Sequence, residues 1–180
     1  TATGARSGNM TLAVNALFMQ LYLLYSHFMD GFAYAGEALV GKYAGAADKR
    51  SLRRCVSHLF AWGWSLAAIF AFAYGVFNHE VMSLFSDKPE VVAFAAAYRW
   101  WIALAPIAGM AAFIWDGVFV GLTATRQMLL SLAGATAVYF TIYFLFPLAD
   151  ANDCLWTAFL AYLAVRGVIL WFCFARENRY

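Results

Sequence analysis

Between Leu59 and Phe77 the chain reads LFAWGWSLAAIFAFAYGVF, a run without a single charged side chain. A crossing of the ~30 Å hydrocarbon core takes ~20 apolar residues as a helix, because only intrahelical bonding satisfies the backbone there. The run has that length, and its aromatics crowd both ends. Four further runs of the same character flank it, so the spans are predicted at about 11–45, 56–77, 90–120, 128–148 and 154–175. Composition agrees: 64% of the 180 residues are hydrophobic and 12% charged, against about 45–50% and 25% in a water-soluble domain. A soluble globular fold is excluded, and the expected fold class is an all-α, polytopic membrane bundle of five transmembrane helices.

The links carry the punctuation. The first run holds no proline from Thr11 to Gly45, which predicts one helix of roughly 50 Å that must tilt or project from the bilayer. A short amphipathic piece, Val81 to Phe85, leads into Ser86-Asp87-Lys88-Pro89, where Pro89 suits the first position of a new helix. Pro147, Asp150, Asn152 and Asp153 predict a tight turn before the last span. Lys42, Lys49, Arg50, Arg53, Arg54, Arg126, Arg176 and Arg179 all fall on one side of this scheme, with only Lys88 in the opposite links. The positive-inside rule puts the first group in the cytoplasm. A net charge of +2 is too small and scattered for nucleic acid, so lipid is the expected partner. Cys55, Cys154 and Cys173 are odd in number and form no CxxC pair, and read as apolar filler rather than a disulfide or metal site. The opening Thr1–Asn9 lacks an initiator methionine and reads as the edge of a cut from a longer chain.

Charges inside the spans are costly and so mark bundle interiors or water-filled cavities. Four qualify: Asp30, Glu37, Asp116 and Arg166. Asp30, Tyr34, Glu37 and Gly41 follow i, i+4, i+7, i+11 spacing, one helix face that could line an aqueous path; alternatively Glu37 stands at the helix end in solvent. Asp116, before Gly117 in an unbroken apolar stretch, is the first candidate for exchanging a proton or binding a sodium ion. The competing reading is an ion pair with Arg166 that holds two helices together. His27, one turn before Asp30, is either a relay or a hydrogen-bonded packing residue. Neither a phosphate-binding loop nor a hydrolase or metalloprotease motif occurs, which disfavours an enzyme.

The segments Asp30-Gly31-Phe32-Ala33-Tyr34-Ala35-Gly36-Glu37-Ala38-Leu39-Val40-Gly41, Gly45-Ala46-Ala47-Asp48-Lys49 and Phe113-Ile114-Trp115-Asp116-Gly117-Val118-Phe119-Val120-Gly121-Leu122-Thr123-Ala124-Thr125-Arg126 resemble the multidrug and toxic compound extrusion (MATE) transporters, in particular the DNA-damage-inducible-type branch. The resemblance implies helices eight to twelve of a twelve-helix, two-lobe protein, residues 1–180 being most of the carboxy-terminal lobe. It implies proton- or sodium-driven export of amphipathic, mostly cationic compounds at a bacterial inner membrane, with the amino-terminal lobe of the same polypeptide as partner and no cofactor beyond the coupling ion. The family's tenth-helix acid falls on Asp116. Two other readings stay open: a scaffold subunit without transport, and a lipid-linked oligosaccharide flippase, which would be expected to carry more cations than Arg166.

Overall fold

The structure, a computed structural model, describes the backbone of residues 2–145 and 151–176 and the side chains of 8–145 and 152–176. It comprises six helices: α1 (Ala2–Gly45), α2 (Lys49–Val76), α3 (Asn78–Phe85), α4 (Pro89–Gly121), α5 (Thr125–Leu145) and α6 (Ala151–Arg176). No strand occurs among the described residues. All but α3 are long and apolar enough to cross a membrane.

Several boundaries differ from the sequence expectation. Helix α1 begins at Ala2, because nothing in the polar opening breaks a helix. Helix α2 starts at Lys49, where Asp48 caps it by accepting from the Ser51 amide at 3.0 Å; basic side chains are good helix formers outside the bilayer. Helix α3 takes in Asn78, His79 and Glu80. Asn152 and Asp153 do not lie in a turn: both belong to the first turn of α6, where their polar atoms find partners on other helices. Pro147 and Asp150 lie outside the described residues, as do residues 177–180. Pro89 opens α4 as expected.

Helix α4 is the axis of the bundle. Of its most apolar stretch 67% is buried, against 11–28% in the other four spans, and it packs on α1, α2 and α6. Its partners run in consistent directions. Residues Asn9 to Ala13 of α1 lie beside Asp87 to Val91, and Ala33 and Glu37 meet Gly117 and Gly121 further on; α1 and α4 are therefore parallel. Trp101 reaches Asp153 at one end of α6, and Ala111 meets Gly167 further along, so α6 is parallel to them as well. Helix α2 runs antiparallel to α4, with Gly63 against Ile114 and Gly75 against Ala103. Helix α5 is antiparallel to α6, with Gly134 against Ile169 and Cys154 near the Ile142 carbonyl. The α1–α2 link, the α4–α5 link and the end of α6 thus share one end of the bundle.

The parallel helices α1 and α4 approach to backbone contact. A Cβ at Gly117 would fall 2.2 Å from the Ala33 carbonyl oxygen, and one at Gly121 2.6 Å from that of Glu37. Small residues permit this closeness, and dispersion is the main cohesion available between helices in lipid. Two buried phenols add cross-links. Tyr25 donates to the Pro106 carbonyl at 3.0 Å, and Tyr74 to that of Leu21 at 2.8 Å.

At the basic end α1 and α4 stop in the same way. Ala47 and Thr123, at φ 54° and 55°, take the left-handed conformation. The next amide then turns back, Asp48 to the Tyr43 carbonyl at 3.0 Å and Ala124 to that of Phe119 at 2.9 Å. This closure normally uses glycine.

Candidate functional site

Asp116 and Arg166 are brought together by the glycines beside them. Gly117 lets α4 settle on α1, while Gly167, whose Cβ would stand 2.8 Å from that of Ala111, lets α6 settle on α4. The two side chains meet in the crevice between these contacts. Arg166 Nη2 lies 2.8 Å from Asp116 Oδ2 and 2.9 Å from Oδ1, so one guanidinium nitrogen bridges both carboxylate oxygens. Arg166 Nε is buried and makes no hydrogen bond. The guanidinium uses only part of its fork, although a parallel two-nitrogen contact is the stronger arrangement. Each side chain is about one quarter exposed, 22% for Arg166 and 24% for Asp116.

A third helix contributes charge. Asp30 on α1 is half-buried, and both its charge and that of Arg166 reach Asp116. Tyr22, also on α1, is half-buried in the field of Asp30, Asp116, Arg166 and Tyr162. Its ring meets Phe159 edge-on at 5.2 Å and lies 6.3 Å from Phe113. The parallel helices α1, α4 and α6 thus share a polar group with aromatic walls. With both acids ionised, the two aspartates and Arg166 sum to one negative charge.

The remaining sequence candidates stand apart from this group. Tyr34 is 70% exposed and Glu37 is exposed as well. The α1–α4 contact runs through the backbone at Ala33, Glu37 and Gly41, so the side chains of residues 34 and 37 leave the seam. Of the four-residue face, Gly41 enters the crossing and Asp30 the polar group. His27 is exposed and its ring nitrogen bonds the Leu23 carbonyl of its own helix. Among the described residues there is no cluster of three or more His, Cys, Asp or Glu able to hold a metal ion.

Sequence reasoning missed a second polar group, toward the other end of the bundle. Asn15 donates to Asn152 Oδ1 at 2.6 Å and accepts from Trp156 Nε1 at 2.9 Å, while Trp101 Nε1 donates to Asp153 Oδ1 at 2.9 Å. A signal was present. Asn15 stands two turns before Tyr22, on the same face of α1, in an otherwise apolar stretch.

Comparison with known proteins bears on what this arrangement serves. The profile of the MatE family matches residues 2–148. The chain is 31% identical to DNA damage-inducible protein F of Escherichia coli (strain K12) over 170 residues, covering 94% of this chain and 37% of that protein. It is 24% identical to Protein DETOXIFICATION 43 of Arabidopsis thaliana over 167 residues, 93% of this chain and 32% of that protein. The chain therefore spans about one third of the length of these relatives.

Proposed function

The chain belongs to the MatE family of integral membrane transporters, and from that premise we propose that it forms part of a secondary active exporter of amphipathic, mostly cationic compounds, driven by protons or sodium ions, in a bacterial inner membrane. The reading rests on one observation above all: a carboxylate within a membrane helix, Asp116, held by an arginine that uses only one nitrogen. A permanent structural pair would be expected to engage both forks. The name of the plant relative, DETOXIFICATION, agrees with export of unwanted compounds.

Asp116 is the coupling carboxylate in this reading, and Arg166 is its internal counter-ion. A proton or sodium ion arriving at Oδ1 or Oδ2 competes with Nη2 for the same lone pairs. Once the carboxylate is neutralised, Arg166 loses its partner and the hold between α4 and α6 weakens. Asp30 makes the group anionic overall, which favours a cation over a neutral visitor. The walls supplied by Tyr22, Phe113 and Phe159 suit an apolar ring carrying positive charge.

The test is efflux of a fluorescent cationic dye by the intact protein in energised vesicles. Asp116→Asn is expected to abolish gradient-driven efflux at an unchanged level of inserted protein, because the amide keeps an oxygen for Arg166 while losing the charge. Asp30→Asn and Glu37→Gln serve as comparisons, the second expected to be near wild type. Wild-type efflux by Asp116→Asn would overturn the assignment.

A further inference from the structure

Among the open clefts of the described surface, three differ in charge. One, at Asn9–Ala13 and Asp87–Val91, sets Asp87 and Glu90 against Lys88. Another holds Arg99, whose guanidinium already stacks over Trp100 at 5.1 Å from the ring centre. The third, of about 480 Å³, lies between α1 and α2 at the basic end and has no carboxylate in its lining. Its α2 wall is Ser51, Arg54, His58 and Trp62, spaced i, i+3, i+7, i+11 along one helix face. Its α1 wall is apolar at Phe32 and Leu39. Glu37, two residues from both Ala35 and Leu39, points to the far side of α1.

The polarity of this cleft is ordered along its length. Arg54 and His58 sit near the start of α2, whose opening turns also carry Lys49, Arg50 and Arg53. Trp62 stands eight residues further in, ~12 Å deeper along the helix axis, and is 66% exposed. That depth separates a phosphate at the interface from the upper part of its acyl chain. Arg54 is exposed and makes no ion pair among the described residues, so its charge is available to a ligand. Basic pockets between transmembrane helices on the cytoplasmic side take anionic headgroups.

We propose that this cleft binds an anionic glycerophospholipid, with Arg54 and His58 on the phosphodiester and one acyl chain along Trp62, Leu39 and Phe32. The guanidinium and the imidazole N–H supply donors to phosphate oxygens, while the Ser51 side chain is engaged with Asp48. A zwitterionic lipid offers the same phosphate but brings its own ammonium against Arg54. Discrimination between headgroups is therefore the signature of the site.

Native mass spectrometry of the intact protein, supplied with phosphatidylglycerol or phosphatidylcholine of the same chain length, tests this. Preferential retention of phosphatidylglycerol is expected. Arg54→Gln/His58→Gln should cut that retention by about fivefold or more, while Arg126→Gln, at the same end of the bundle but outside the cleft, should leave it unchanged. Both altered positions are exposed, so neither substitution disturbs a packed contact. Equal retention of the two lipids, an equal loss in Arg126→Gln, or no retained lipid at all because another part of the longer protein covers the cleft would each overturn the proposal. Displacement of the lipid by glycerol phosphate alone would also overturn it, by showing an anion site that ignores the chain.

Discussion

Arg166 neutralises the Asp116 carboxylate between α4 and α6, and removing it alone leaves that carboxylate without its counter-ion inside the bundle. Arg166→Gln is therefore expected to lower the thermal midpoint of the detergent-solubilised protein more than the double variant Arg166→Gln/Asp116→Asn does. Breaking a buried pair costs about 3–5 kcal/mol; this one is a quarter exposed, so a coupling of roughly 1–2 kcal/mol is expected from the double-mutant cycle. A coupling near zero would show that the contact contributes nothing to stability. Asp48 offers a second residue-scale test, outside the membrane. Hydrogen bonding by Ser51 first, side chain then backbone, together with the Arg50 amide and charge, holds its carboxyl below the usual range. Its folded value is lower than its unfolded one, so the cap stabilises above the unfolded value and is lost as pH falls through the folded one. Asp48→Asn keeps a capping oxygen without the titration. Between about pH 6 and pH 3, a window that spans the ordinary Asp value, wild type should lose thermal stability relative to Asp48→Asn. Parallel pH curves would refute the assignment.

At the scale of elements, the α1–α4 seam tolerates nothing larger than glycine at two places. A methyl at Gly117 or Gly121 would collide with backbone carbonyls of α1 at 2.2 and 2.6 Å, atoms that cannot rotate away. Gly117→Ala is expected to cost at least the ~1–3 kcal/mol typical of overpacking, and Gly31→Ala, which meets open space, close to nothing; equal melting temperatures would sink the argument. The helix ends respond in the opposite sense. Ala47→Gly and Thr123→Gly relieve left-handed strain and should each raise stability by about 1 kcal/mol. Five apolar runs, the opening of α4 at Pro89 and the position of Asp116 inside a span were legible in the sequence, because hydropathy and proline act locally. The contact between Asp116 and Arg166 was legible only as one of two readings, since spacing within a helix carries no information about its neighbour. Asn15 and Asn152 were passed over for the same reason: a polar side chain in a span declares itself only when its partner, 137 residues away, is placed. The turn predicted through Asn152 and Asp153 failed because cross-helix hydrogen bonds hold residues that local propensity assigns to a turn.

The whole bundle has two unlike ends, one with the basic helix ends at Lys42, residues 49–54 and Arg126 and one with the α3–α4 turn at residues 86–88. Single cysteines at Arg50 and Asp87, both exposed, should react with a membrane-impermeant thiol reagent from opposite sides of intact cells or oriented vesicles, with Arg50 on the cytoplasmic side. Labelling of both from one side would overturn this orientation. Around α4 the chain closes contacts that are distant in sequence, and the seam between Ala33 and Gly117 joins residues 84 positions apart. A ribosome adds about 5–20 residues per second, so α1 waits roughly 4–17 s after its own synthesis before the helix that fits it has been made. During that interval its small-residue face lies against lipid or insertion machinery, available to any other helix with a glycine groove. Slowing elongation between Phe77 and Pro89 should therefore lengthen the period in which α1 can be captured by the wrong neighbour, and the yield of correctly assembled protein becomes sensitive to codon choice in that short stretch between two spans.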